Sequence, residues 1–194
     1  MSTVTETLRS WALQEVVADP RARAGVGVLT FVLATGLGAQ LAVPLPWTPV
    51  PITLQPFFVI LAGAVLGARL GSAAMVLYVL AGALGAPVFS NGASGVPWLM
   101  GPTGGYLLAT PAAAFLTGWI AGRGAGTLRA AAGLTLGVAT LYAGGVAQLA
   151  GLTGQDLGAL LALGVWPFVA GDALKVLVAL ALLPPLRRTS LGQL

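Results

Sequence analysis

The sequence predicts an all-α integral membrane protein, built from six transmembrane helices with both termini in the cytoplasm. The first observation is composition: 57% of the 194 residues are hydrophobic and only 7% are charged, whereas a soluble domain carries ~25% charged residues. The second is a succession of six apolar segments, each close to the ~20 residues that a spanning helix needs. The third is that the arginines occur only in alternate connections between these segments.

Clear interruptions separate the predicted spans. Four prolines within residues 44–51 exclude a regular helix there, and Arg69 ends the second span. A Gly/Ser/Pro loop over residues 89–97 follows the third span, and a short helix over 155–165 is predicted on the outer face before the last one. The six spans are residues 25–43, 52–68, 71–88, 103–121, 130–150 and 169–185.

The arginines predict the orientation. With six spans, the N-terminal arm (1–24), the loops after the second and fourth spans and the C-terminal tail (187–194) share one side of a transmembrane domain over 25–186. That side holds every arginine, and the opposite loops hold no Lys or Arg. By the positive-inside rule, the arginine-bearing side is cytoplasmic. The arginines are Arg9, Arg21, Arg23, Arg69, Arg123, Arg129, Arg187 and Arg188.

Several functional classes are excluded by what the chain lacks. It has no cysteine and no histidine, which excludes disulfides, thiol chemistry and the usual zinc sites. No phosphate-binding glycine loop with Lys-Ser/Thr is present, so the chain is not expected to hydrolyse ATP itself. The arginines are scattered, which does not suggest nucleic-acid binding. We expect no enzyme activity, cofactor or metal; a hydrolase would need Lys175 with Ser90 or Ser94, and nothing local marks either serine as a nucleophile.

The strongest candidate site is a charged pair inside the last apolar span. Lys175 is the only lysine of the chain, and Asp172 lies three residues before it, so the two share one face of a helix. Ionisable side chains at membrane depth usually face a cavity and serve a function. The pair therefore suits a polar ligand that carries a carboxylate. The alternative is a self-neutralising pair whose lysine extends towards the membrane surface.

Amide and aromatic side chains near the outer ends of spans give weaker signals. Asn91 and Gln55 each offer a donor and an acceptor to a polar ligand. For Asn91-Gly92 the sequence alone favours a turn, and Gln55 is equally able to cap the second span. Tyr106 and three tryptophans fit a ligand pocket or an interfacial aromatic belt.

Glycine is frequent, at 28 residues, and many glycines occur at small-xxx-small spacing, which lets helices approach closely in lipid. For most pairs we expect internal packing. Ala34/Gly38 in the first span is the exception, because a small-residue stripe that faces lipid would be a docking face for another subunit. The pairs are Ala34/Gly38, Gly63/Gly67, Ala81/Gly85, Gly118/Gly122 and Gly133/Gly137.

Five motifs in order resemble the BioY family, the biotin-specific substrate-binding (S) subunits of energy-coupling-factor (ECF) transporters. They begin with PVPITLQ over 49–55 and LGARLG over 66–71. LGAPVF over 84–89, GPTGGY over 101–106 and PFVAGDALK over 167–175 follow. The resemblance runs from the first span to Lys175.

The resemblance implies an S-component-like bundle that binds biotin from outside the cell, in the plasma membrane of a prokaryote. Asp172 and Lys175 match the family's signature acid and lysine, and Asn91 matches its polar loop residue. Gln55, Gly105 and Tyr106 match further positions that line the site.

Our hypothesis for the ligand is that Lys175 binds the biotin carboxylate, while Asn91 and Asp172 bind the ureido group. The implied partners are a transmembrane coupling subunit and two ATP-binding-cassette ATPase subunits. The alternative is a stand-alone facilitator or proton-coupled carrier that uses Asp172 as its proton site.

Overall fold

The computed structural model of the protein describes residues 19–122 and 124–188. Most of the predicted N-terminal arm and all but the first two residues of the predicted tail lie outside these residues, as do Arg9 and Arg123. The described part contains eight α-helices and one two-stranded sheet. In chain order the elements are α1 (Pro20–Gln40), β1 (Ala42–Leu45), β2 (Thr48–Thr53), α2 (Gln55–Leu66), α3 (Ala68–Ala83), α4 (Val96–Leu99), α5 (Gly104–Ile120), α6 (Thr127–Thr153), α7 (Leu157–Gly164) and α8 (Trp166–Arg187).

Each predicted span overlaps one of the six longer helices. Three of them, α1, α6 and α8, have 21, 27 and 22 residues and are long and apolar enough to cross a membrane. The helices α2 and α3 are apolar but shorter, because Gly67, with φ 83, breaks the chain between them. The predicted short helix near 155–165 is present as α7. The number of membrane crossings and the orientation of the termini stay predictions.

The proline-rich segment after α1 forms a β-hairpin, which the all-helical expectation missed. Its strands β1 and β2 pair antiparallel, with Ala42 opposite Thr53 and Leu45 opposite Thr48. Prolines are tolerated at such strand edges because they need not donate to a neighbouring strand. The Thr48 hydroxyl donates to the Leu163 carbonyl at 2.8 Å, so the hairpin is attached to α7.

Close glycine contacts hold the centre of the bundle together, where α5 packs against α2, α3 and α6. A side chain at Gly63 would collide with the Ala114 carbonyl, and one at Gly137 would collide with the Thr117 hydroxyl. Gly118 lies against the backbone of Gly67 and Ala68, and Gly133 lies against Ala121. The predicted internal packing is confirmed for these four glycines.

The remaining glycines of the predicted pairs have other roles. Gly67 and Gly85 adopt positive φ and have open space at the Cβ position. Gly38 faces inward, where a Cβ would lie 2.6 Å from the Phe58 ring. A small-residue docking stripe at Ala34/Gly38 is therefore not what α1 presents outward. Its exposed face carries a ridge of leucines at four-residue spacing, namely Leu29, Leu33 and Leu37, and Leu41 continues it just past the helix end.

Candidate ligand-binding site

A cavity of about 660 Å³, counting the space at its mouth, lies between the hairpin and the helix bundle. We call it the main cavity. Its walls come from β2 and from the helices α2, α5, α6 and α8, together with Ser90 of the 84–95 loop. Aliphatic and aromatic side chains form much of the wall, and a few polar groups converge on it, as is typical of small-molecule sites.

The predicted charged pair borders the main cavity and is fully formed. Lys175 Nζ donates to Asp172 Oδ1 at 2.7 Å, and the two side chains are only 11% and 5% exposed. Both residues lie on α8, where the three-residue spacing brings their side chains together. Most of the cost of burying the two charges is offset only when each is paired and hydrogen-bonded.

Tyr142 of α6 completes this site, and the sequence analysis did not identify it. Its hydroxyl donates to Asp172 Oδ2 at 2.6 Å, so each carboxylate oxygen of Asp172 accepts one strong hydrogen bond. A signal for it was present, because a tyrosine hydroxyl inside an apolar helix needs a hydrogen-bond partner. The partner comes from a different helix, however, and a single sequence does not specify that contact.

The resulting network keeps capacity to bind a ligand. A lysine ammonium has three donors, and Lys175 uses one of them on Asp172. An ionised carboxylate has about four acceptor sites, and Asp172 uses two. The pair carries no net charge. It can therefore present a donor and an acceptor side by side to a ligand that has both.

Tyr106 and Gln55 also line the main cavity, as expected for residues near a site. The Tyr106 hydroxyl donates to the Gly164 carbonyl at 2.6 Å, which connects α5 to the end of α7. Gln55 is the first residue of α2 and is mostly buried. It makes no side-chain cap of α2, so the capping alternative for Gln55 is wrong.

Asn91 lies beside a second cavity of about 360 Å³, again counting its mouth, which is lined by the hairpin together with Ser90 and Trp98. Ser90 and Pro51 line both cavities, so the two adjoin. Asn91 sits in a single 3₁₀ turn (Ser90–Gly92) with φ 59, and the predicted turn at Asn91-Gly92 is confirmed. The structure thus places Asn91 on the second cavity and the Asp172–Lys175 pair on the main cavity.

Gly105 lines neither cavity. A side chain there would collide with the Gly144 carbonyl of α6, so this glycine allows α5 and α6 to approach closely beside Tyr106. Among the described residues, Lys175 Nζ hydrogen-bonds Asp172 and neither Ser90 nor Ser94. Within residues 19–122 and 124–188, no three His, Cys, Asp or Glu side chains group to hold a metal ion.

Comparison with known proteins decides the family. A family model described as the BioY family matches residues 9–191. The chain belongs to the BioY family. It is therefore a membrane protein of a transporter family, and the apolar helices α1, α6 and α8 agree with that.

Two relatives of this BioY family member cover most of the chain. A probable biotin transporter BioY of Pyrococcus horikoshii is 43% identical over 152 residues, which is 78% of this chain and 88% of the relative. A biotin transporter BioY of Thermotoga maritima is 39% identical over 153 residues, which is 79% of this chain and 88% of the relative.

A solved structure resembles this BioY family member in fold. It is described as the S-component for biotin from an ECF-type ABC transporter, and it superposes with a TM-score of 0.79. The match covers 87% of this chain and 93% of the other, at 22% sequence identity. At that identity the likeness concerns the fold, and the chain has the S-component fold.

Proposed function

We propose that this protein is the biotin-binding membrane subunit of an ECF-type, ATP-driven vitamin importer, which captures biotin from outside the cell. One observation carries the proposal: a buried network of Asp172, Lys175 and Tyr142 borders an otherwise largely apolar cavity in a protein with the S-component fold. The relatives named as biotin transporters support the choice of ligand.

The chemistry of the site matches biotin in kind. Biotin has a polar ureido ring, an apolar thiophane ring and chain, and a carboxylate. The main cavity supplies apolar walls and the Asp172–Lys175 pair, and the adjoining second cavity adds Asn91. We propose that Gln55 and Tyr106 line the ligand. Gly105 contributes indirectly, by allowing Tyr106 to lie close to α6.

The orientation of biotin is the finer part of the proposal. The sequence-based hypothesis assigns Lys175 to the carboxylate and Asp172 to the ureido group. A pair without net charge matches the ureido ring better, because that ring offers N–H donors and a carbonyl acceptor on one edge. We propose that Asp172 accepts from a ureido N–H while Lys175 donates to the ureido carbonyl. The carboxylate then lies towards the second cavity and Asn91.

Biotin amide separates these two orientations. It keeps the ureido ring and replaces the anionic carboxylate with a neutral group. If Lys175 binds the ureido carbonyl, Lys175→Ala weakens binding of biotin and of biotin amide by equal factors. A loss confined to biotin would return Lys175 to the carboxylate, as the sequence-based hypothesis has it.

We further propose six membrane crossings with both termini in the cytoplasm, so that the hairpin, Asn91 and the main cavity face outside. The distribution of arginines supports this orientation. Because the chain lacks a phosphate-binding loop, the energy would come from two ATP-binding-cassette subunits through a transmembrane coupling subunit. Uptake by cells that lack those subunits, abolished by an uncoupler, would instead favour a proton-coupled carrier.

Equilibrium binding of labelled biotin to the purified full-length chain in detergent tests the ligand. We expect tight binding, and we expect Lys175→Ala to weaken it more than tenfold, about 1.4 kcal/mol or more. Thr140→Val is the control, because the exposed Thr140 hydroxyl bonds only the Leu136 carbonyl of its own helix. Well-folded protein that does not bind biotin would contradict the proposed function.

A further inference from the structure

One side chain of α1 holds both ends of the turn that borders the two cavities. Gln40 is the last residue of α1. Its Oε1 accepts from the Gly92 N–H at 2.8 Å, and its Nε2 donates to the Phe89 carbonyl at 3.0 Å. The same Nε2 donates to the Gly36 carbonyl of its own helix at 3.2 Å. The amide thus uses its acceptor and both its donors, which fixes its direction.

The turn depends on such support because its backbone is unusual. Asn91 and Gly92 are consecutive residues at positive φ, 59 and 71, and Asn91 is the only non-glycine residue in this region among those described. Two backbone hydrogen bonds close the turn itself: Phe89 N–H donates to the Ala93 carbonyl at 3.0 Å, and Ala93 N–H donates to the Ser90 carbonyl at 3.3 Å. Neither of them involves the backbone of Asn91 or Gly92. Positive φ at a residue other than glycine persists when surrounding contacts hold it.

Two contacts of different kinds attach the turn to the bundle, one to α3 and one to α1, and we call them its anchors. Towards α3, the fully buried Phe89 ring packs edge-on against Tyr78, with ring centroids 5.7 Å apart. Towards α1, the anchor is the Gln40 amide. Ser90, which lines both cavities, and Asn91, which lines the second, lie between these anchors. Gln40 itself lines neither cavity.

We propose that Gln40 is a positioning residue for ligand binding, which acts through the Phe89–Gly92 turn and hence through Ser90 and Asn91. The inference rests on the proposed function, since it assumes that Asn91 meets the ligand. Without the Gln40 amide, the Gly92 N–H and the Phe89 carbonyl lose their side-chain partner and hydrogen-bond water instead. Asn91 then samples other conformations. Ligand dissociation then becomes faster, whereas the Asp172–Lys175 pair is unaffected.

A double-mutant cycle with dissociation of labelled biotin from the full-length chain tests this. Gln40→Met keeps the length of the side chain and removes its amide, and we expect about three- to tenfold faster dissociation. Asn91→Gly removes the Asn91 side chain without straining the backbone. In the Asn91→Gly background, Gln40→Met should increase the dissociation rate by less than about twofold. The proposal is overturned if Gln40→Met increases the dissociation rate by the same factor in both backgrounds, or if it has no effect.

Two further variants separate positioning from folding. Gln40→Glu keeps the acceptor for Gly92 but sets a carboxylate against two carbonyls, so it should speed dissociation at least as much as Gln40→Met. Gln155→Met is the matched control, because Gln155 is exposed between α6 and α7 and lines neither cavity. Loss of folded protein in both Gln40 variants would make Gln40 a structural residue and overturn the proposal.

Amide hydrogen exchange separates this proposal from the proposed function, because it needs no ligand. In Gln40→Met, the Gly92 amide should exchange faster than in the wild type, with unchanged exchange in α6, and Gln155→Met should match the wild type. Failure of the wild-type chain to bind biotin would refute the ligand while this result still stood. Unchanged exchange at Gly92 would refute the role of Gln40 whatever the ligand is.

Discussion

The helices α2, α5 and α6 meet in two contrasting ways along their lengths. At one end they form a glycine crossing, defined by Gly63, Gly118, Gly133 and Gly137, where backbones touch. At the other end, α5 and α6 carry Tyr106 and Tyr142, and the main cavity opens beside them. Missing side chains therefore let the helices close at the crossing. At the cavity end α5 and α6 also approach closely, at Gly105 and Gly144, but there Tyr106 and Tyr142 contribute polar hydroxyls beside the main cavity.

The contrast separates stability from binding. In lipid, close backbone approach supplies packing that hydrophobicity does not, so the glycine crossing forms the fixed base of the bundle. At the cavity end, the tyrosine hydroxyls satisfy a carboxylate and a carbonyl instead. We therefore expect substitutions at the crossing to affect folding, and substitutions at the cavity to affect affinity.

The largest effect is expected at the glycine crossing. Gly63→Ala places a methyl group against the backbone carbonyl of Ala114, which cannot move aside as a side chain would. Overpacking of this kind costs about 1–3 kcal/mol. Gly171→Ala is the matched control, because nothing lies within 4 Å of the Cβ position there. In unfolding measurements in detergent micelles, Gly63→Ala should be destabilised and Gly171→Ala should not. Equal stabilities of the two variants would contradict the proposal that the glycine crossing stabilises the bundle.

A smaller effect, on binding, is expected from the charged pair. Asp172→Asn leaves Lys175 without its anion and removes an acceptor from the ligand, so biotin affinity should fall about tenfold, or ~1.4 kcal/mol. Asp156→Asn is the control, because Asp156 caps α7 at an exposed position and Asn caps helices equally well. Isothermal titration of both variants measures the difference, and equal affinities would remove Asp172 from the site.

Tyr142→Phe should have a weaker effect on affinity. It removes the hydrogen bond to Asp172 Oδ2 and keeps the ring. We expect a loss of affinity of about three- to tenfold, because only the part of this bond's free energy that differs between the free and the ligand-bound protein changes affinity. Tyr78→Phe is matched in chemistry, because the Tyr78 hydroxyl donates to the Val88 carbonyl at 2.9 Å outside the main cavity. Biotin titration should separate the two variants, and a larger loss from Tyr78→Phe would count against the network.

The smallest effect is expected from Thr117, whose buried hydroxyl has no hydrogen-bond partner in the described part of the chain. Thr117→Val removes this unpaired group at nearly constant volume, so stability should stay the same or rise by up to about 1 kcal/mol. Thr35→Val is the contrast, because the fully buried Thr35 hydroxyl donates to the Phe31 carbonyl. The unfolding midpoint of Thr117→Val should be higher than that of Thr35→Val. The reverse order would contradict the conclusion that the Thr117 hydroxyl is unpaired and the Thr35 hydroxyl is paired.

Much of the architecture follows from local patterns, and the remainder depends on contacts between distant residues. The six apolar segments, the α7 helix and the turn at Asn91 were predictable from composition and turn chemistry. So was the shared face of Asp172 and Lys175, because helix geometry sets it. The pairing of β1 with β2 was not predictable, since the prolines only excluded a helix. Tyr142 was missed for the same reason, as its partner lies 30 residues away.

Gly105 and Asn91 show that a match to a family position does not by itself tell where a residue lies in the structure. Both belong to segments that resemble the family, yet Gly105 packs against α6 and Asn91 borders the second cavity rather than the pair. A motif reports which residue types recur together along a chain. Which side of a helix each one occupies is decided by packing, and only the structure gives that.

Lys175 also offers a single site for chemical labelling beside the main cavity. It is the only lysine in the chain, and its side chain is 11% exposed and engaged with Asp172. An amine-reactive dye therefore has two targets, the terminal amine and this one ε-amine, and the ε-amine borders the main cavity. The rate of acylation at Lys175, read by mass spectrometry, reports how accessible this amine is to molecules that enter the cavity. A bound ligand should protect it.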